Sequence, residues 1–171
     1  MKQLLPLLLL LISLSVQAQY YENAAGLRLG GTSGITYKRF VTESVAYQVL
    51  LSGRNDGIQF TALKEIYIQT NLSKNLFIYY GGGAHLGFEK YTQVNNNINT
   101  TIINNNQIFE TRTRVNPTYF SMGLDGIVGL EYRFMAPVTL GFDVKPTFSF
   151  IGMRFTQLRF WDTAMTVKLL F

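Results

Sequence analysis

His85 is the chain's one histidine, so proton-transfer chemistry near neutral pH would run through it. A serine hydrolase or acyltransferase needs a Ser, a His base and an acid that orients the ring. The residues after His85 are Leu86-Gly87-Phe88-Glu89, with no adjacent Ser. Ser121, on a strand expected alongside, and Glu89, further up the same strand, would have to complete such a site at an outer rim. No motif joins the three, and a polar core filler accounts equally for a lone His in a Gly-rich strand. One His and no Cys supply no metal-ligand set. No catalytic, cofactor-binding or metal-binding residue is therefore assigned, and the chain is not read as an enzyme.

Charged residues are the other candidates. Alternation places Arg28, Glu65, His85, Glu89, Asp125, Glu131, Arg133, Asp143, Lys145 and Lys168 on one face of their strands. Such a set could form a proton path, an ion pathway or a site. It could equally be a set of buried acid–base pairs that stiffen a filled interior, because unpaired charges there would be costly. Mixed signs in similar number favour pairing.

The elements that position these residues are strands. Turn signals divide the chain into segments near Asn23–Gly31, Ile35–Val41, Ser44–Gly53, Ile58–Thr70, Asn75–Lys90, Thr118–Phe134, Val138–Phe150 and Leu158–Phe171. In the sixth, Met122, Leu124, Gly126, Val128, Leu130, Tyr132 and Phe134 oppose Ser121, Gly123, Asp125, Ile127, Gly129, Glu131 and Arg133. The last strand ends on Leu169 and Phe171, with Leu170, Lys168 and Thr166 on its other face. Thr42-Glu43, Asn71–Lys74 and Met135-Ala136-Pro137 are short links on one side. Gly31–Gly34, Arg54–Gly57, Tyr91–Pro117 and Gly152–Gln157 lie on the other.

Residues 1–18 read as a cleaved signal peptide: Lys2, an apolar Leu4 to Val16 run, then Val16-Gln17-Ala18. The apolar run is about thirteen residues, short of the ~20 a spanning helix needs. Residues 19–171 then form one domain, without disulfides because the chain has no Cys. The formal net charge of +5 is spread along the strands, with no basic run longer than Lys38-Arg39, which argues against nucleic-acid binding. With no spanning helix, a membrane protein of this kind must be a closed barrel.

An eight-stranded antiparallel up-and-down transmembrane β-barrel is the expected all-β fold. A soluble barrel would turn the apolar face inward around a ligand. Here that would crowd Phe, Leu and Tyr into a lumen only wide enough for packed side chains. The inverted arrangement puts Gly81, Gly83, Gly87, Gly123, Gly129 and Gly141 inside and the large residues against lipid. Tyr132, Phe134 and Phe171 at one end, with Phe88, Tyr91, Tyr119, Phe148, Phe150 and Trp161 towards the other, match two interfacial girdles. Lys64 resists: it falls among the lipid-facing Ile58, Phe60, Ala62, Ile66 and Ile68, where a cation costs ~2–4 kcal/mol at the midplane. A β-bulge would re-aim it, or the strand sits lower in the membrane than this placement.

Four segments carry a family likeness: Gly26-Leu27-Arg28-Leu29-Gly30-Gly31, Tyr80-Gly81-Gly82-Gly83-Ala84-His85, Gly126-Ile127-Val128-Gly129-Leu130-Glu131-Tyr132 and Asp143-Val144-Lys145-Pro146. With the signal peptide and terminal Phe171, the chain resembles the small OmpA/OmpX-like outer-membrane barrel superfamily. The resemblance implies the outer membrane of a Gram-negative bacterium, surrounded by membrane lipids and lipopolysaccharide. It also implies recognition of the Phe171 strand by the barrel-assembly machinery. A monomer with a structural or surface-interaction, adhesion-like role is expected. The alternatives are a lipid A- or phospholipid-modifying enzyme using His85 at the outer rim, and a narrow ion-conducting barrel. The long extracellular loop near 91–117 is where a surface ligand would bind. Its Asn-rich stretch reads most simply as a solvated loop. Ile98, Ile102, Ile103 and Ile108 also fit a β-hairpin whose edge adds a strand to a partner.

Overall fold

The computed structural model describes residues 22–54, 56–90, 93–103, 107–115, 117–152 and 155–171. The expected signal peptide lies outside them. Twelve strands are present: β1 Asn23–Gly30, β2 Ser33–Thr42, β3 Val45–Arg54, β4 Gly57–Gln69, β5 Leu76–Lys90, β6 Gln93–Ile103, β7 Gln107–Val115, β8 Thr118–Arg133, β9 Val138–Val144, β10 Thr147–Ile151, β11 Phe155–Arg159 and β12 Thr163–Leu170. β9 and β10 are two halves of one pass, as are β11 and β12, so ten of these strands make eight passes. Each pass pairs antiparallel with its neighbours in sequence, and β1 pairs with β12 to close the wall. Asn23 and Phe171 exchange backbone hydrogen bonds at that seam. The fold is a closed eight-stranded antiparallel barrel, as the alternation predicts, with β11 above the β1–β12 seam paired to β10 alone.

Departures from the expected segments have local causes. β2 is longer than read, because Ser33 and Gly34 already pair with Gly53 and Ser52. The seventh pass is interrupted at Lys145-Pro146, since proline has no N–H to give the ladder. The Pro146 carbonyl still accepts from Gly126. The eighth pass is interrupted between Arg159 and Thr163, where the inward face changes from odd positions in β11 to even ones in β12, with Asp162 on the lumen side beside Ala164, Thr166 and Lys168. The 91–117 segment is no plain solvated loop: β6 and β7 pair as a hairpin, a two-stranded sheet separate from the wall.

The two faces sort as expected. Leu124, Val128, Leu130 and Phe142 stand outward and exposed, while Asp125, Glu131 and Asp143 are buried. Buried apolar side chains are few among the described residues; most gather in one cluster, Ala24, Phe40, Ala46, Leu63, Tyr67, Tyr79, Ile127 and Leu170, with Leu50, Ile151 and Ala164 outside it. Lys64 is exposed on the outward face. The β3–β4 and β4–β5 ladders run past it without a register shift, so no bulge re-aims it.

Candidate functional site

Lumen chemistry follows from the size of the barrel. Eight strands enclose space for side chains and little else, so every polar group pointing inward must find a partner inside. Five buried cations, Arg28, Lys38, Arg54, Lys145 and Lys168, and the partly exposed Arg133 face six buried acids: Glu65, Glu89, Asp125, Glu131, Asp143 and Asp162. The half-buried Arg159, directly opposite the buried Thr147, faces the same way, so seven described inward cations meet six acids.

One cluster centres on Glu131. Its Oε2 accepts from Lys168 Nζ at 3.0 Å and from the Tyr67 hydroxyl at 3.2 Å, and Lys38 Nζ lies 3.6 Å away. Arg133 Nε reaches Oε1 at 3.4 Å. Lys38 also contacts Glu65 at 2.5 Å and hydrogen-bonds the Tyr67 hydroxyl. Aromatic rings wrap these charges. Lys38 Nζ sits 4.7 Å from the Tyr79 ring centre, and Arg133 sits 4.2 Å from that of Phe77. Tyr67 and Tyr79 stack at 5.2 Å. Gly129 is required here, because a Cβ on it would lie 2.5 Å from the Tyr79 ring.

A second cluster ties the seam under the 31–32 turn. Arg28 donates to Asp143 at 2.7 Å, to the Thr32 carbonyl at 2.7 Å and to Asp162 at 3.3 Å. Asp162 accepts from the Thr32 amide at 2.9 Å and from its hydroxyl at 2.6 Å. Tyr79 donates to Asp143 at 3.3 Å and so connects this knot with the first cluster.

The third grouping surrounds His85. His85 on β5 is directly opposite Gly123 on β8, and Gly123 is opposite Ser149 on β10. The middle position has no side chain, so the imidazole crosses it; a Cβ on Gly123 would lie 2.7 Å from His85 Cε1. His85 Nδ1 is 2.7 Å from Asp125 Oδ2, and Nε2 is 3.1 Å from Ser149 Oγ. A carboxylate only accepts, which puts the proton on Nδ1 and leaves Nε2 to accept from the serine hydroxyl. That is the connectivity of a nucleophile, base and orienting acid. All three residues are buried, with Ser149 two positions from the end of β10.

The expected partners of His85 are corrected by this register. Ser121 is opposite Ile151 and Gly87, one inward position from the His85 row, and its hydroxyl has no hydrogen-bond partner among the described residues. Glu89 faces Arg54 at 3.6 Å. Ser149 and Asp125 stand where Ser121 and Glu89 were expected. All ten inward charges assigned from alternation face the lumen; Lys38, Arg54, Asp162, Tyr67 and Tyr79 were missed. Parity in β2 offered the signal for Lys38, which shares a face with Thr36 and Phe40 while Ile35, Tyr37 and Arg39 point outward. Among the described residues no cluster of three or more His, Cys, Asp or Glu is arranged for a metal ion.

No protein-family model matches the chain, and no curated protein matches it. Among solved structures it is similar to the N-terminal β-barrel domain of Pseudomonas aeruginosa OprF. The TM-score is 0.53 at 16% identity, over 90% of this chain and 100% of that one. At that identity the likeness shows the fold alone, a β-barrel.

Proposed function

We propose that the chain is an integral outer-membrane barrel of a Gram-negative bacterium with a structural and surface-interaction role. In this reading it is exported by residues 1–18, inserted through its Phe171 strand, and bathed in membrane lipids and lipopolysaccharide. The observation that carries the reading is the narrow lumen lined with ion-paired side chains, which stiffens the wall and obstructs an aqueous path. The third expectation, a narrow ion path, draws nothing from such a lumen. Interaction then falls to the outer side, where the β6–β7 hairpin extends from β5 and β8. Such long excursions on rigid scaffolds are commonly functional. The test replaces 92–116 with a short Gly-Ser turn. A folded, heat-modifiable barrel that has lost adhesion or surface binding is the expected result. Retention of every surface phenotype refutes the hairpin-centred role.

One observation favours a second reading, an ester-cleaving or acyl-transferring enzyme: the Ser149–His85–Asp125 connectivity. In it, His85 takes the Ser149 proton as the serine oxygen attacks an ester carbonyl, then returns that proton to the leaving alcohol. Water hydrolyses the acyl-serine by the same route. Labelling of Ser149 by a fluorophosphonate, lost in His85→Ala, supports this reading. An unlabelled, folded wild-type barrel refutes it.

A further inference from the structure

Apart from Lys90 at the end of β5, two outward cations of the described wall strands have no place in the lumen chemistry. Arg39 and Lys64 stand exposed on the outer wall, and among the described residues neither has an ion-pair partner. They are not scattered. Arg39 is directly opposite Tyr47, and Tyr47 is directly opposite Lys64, so β2, β3 and β4 present one cation–tyrosine–cation row. Neighbouring strands lie about 4.8 Å apart, which puts the two cationic stems roughly 10 Å apart across an exposed tyrosine. Both side chains are long enough to converge on one group above the ring.

The row also has a direction. Arg39 lies three positions from the end of β2 and Lys64 five from the end of β4, both on the side of the short turns. Immediately further along the same strands the wall is hollowed. Small Ala25 and Gly26 leave an apolar groove of about 340 Å³ bordered by Ile35, Tyr37, Val49 and Leu51. Cations at the turn side and an apolar trough leading away from them match a lipid of the leaflet on that side: headgroup at the row, chain in the groove. No Asp or Glu shares this face within the described strands; the nearest exposed acids, Glu22 and Glu43, lie at the rim.

We propose that Arg39, Tyr47 and Lys64 bind the phosphate of an anionic phospholipid of the periplasmic leaflet, with an acyl chain in the adjoining groove. The site explains Lys64: its ammonium extends toward the phosphate rather than resting in hydrocarbon. The inference rests on the membrane reading above. Each cation should contribute about fivefold to the preference for an anionic headgroup.

The test refolds the full chain into vesicles containing equal phosphatidylglycerol and phosphatidylcholine. The lipids retained after extraction are then identified by native mass spectrometry. Wild type should retain phosphatidylglycerol preferentially, Arg39→Met and Lys64→Met should each lower that preference about fivefold, and Lys64→Arg should keep it. Raising the salt concentration should weaken the preference in the wild type itself, which needs no variant to fold. An inserted, heat-modifiable wild type that shows no headgroup preference overturns the site alone. So does a double variant that retains phosphatidylglycerol as the wild type does, or a second set of vesicles, of equal phosphatidylglycerol and lipid A, from which the wild type retains lipid A preferentially. A chain that never enters vesicles overturns the membrane reading, and the site with it.

Discussion

The lumen treats similar chemistry in two ways. Around Glu131, two lysines, an arginine and a tyrosine converge on one carboxylate, and the rings of Phe40, Tyr67, Phe77 and Tyr79 occupy the space between them. Around His85, the wall is built from Gly83, Gly87, Ser121, Gly123 and Ser149. There Ser121 Oγ, Asp125 Oδ1, Thr147 Oγ1 and Lys145 Nζ are buried without a hydrogen bond among the described residues, as Glu65 Oε1, Arg133 Nη2 and Thr139 Oγ1 are near the first cluster, so the two regions differ in what packs around their polar groups. Large rings exclude water and leave charges only each other. Small residues leave room that ordered water can fill, and buried waters characteristically serve groups of this kind. The Glu131 region is therefore where the barrel has stability to lose, and the His85 region is where it tolerates change or admits chemistry.

Glu131→Gln should have the largest effect. It keeps the shape and removes the charge that neutralises Lys168, Lys38 and Arg133 in a ring-lined setting. Breaking a buried pair by removing one partner costs about 3–5 kcal/mol. Urea unfolding of the lipid-inserted barrel measures it; a loss under 1 kcal/mol would show that water reaches this cluster too.

Asp125→Asn should cost less, about 1.5–3 kcal/mol, the range for a hydrogen bond to a charged group. It weakens the 2.7 Å contact with His85 Nδ1, yet Lys145 and Arg54 lie in the same wetter region. A cost equal to that of Glu131→Gln would erase the distinction between the two regions.

The same contrast governs what could be read from the residues alone. Period-two alternation is local, and it gave the barrel, the eight passes and the inward set from Arg28 to Lys168. Partner choice is not local. Whether His85 meets Ser121 or Ser149 depends on stagger across β5, β8 and β10, and on the bare position at Gly123 that lets the ring cross a strand. Asp162 was within reach of parity: it shares the inward face of Ala164, Thr166, Lys168 and Leu170, one step before β12 begins. Lys64 was legible as an anomaly, but its companions Arg39 and Tyr47 come from other strands and need the register to bring them together.

The smallest expected effect separates the two serines, and it is the finest probe of the His85 region. Ser121 and Ser149 are both buried, both inward and on adjacent strands. Ser149 donates to His85 Nε2, whereas Ser121 has no partner for its hydroxyl among the described residues. Removing a hydrogen-bonded hydroxyl costs about 0.5–1.5 kcal/mol, while removing an unpaired one returns its desolvation penalty. Ser149→Ala should therefore lose about 1 kcal/mol, and Ser121→Ala should be neutral or slightly stabilising in the same urea measurement. If water satisfies Ser121, its replacement strands that water and both variants lose a similar amount. A clear loss at Ser121 with none at Ser149 would place the working partner of His85 on the other serine and invert the register argument.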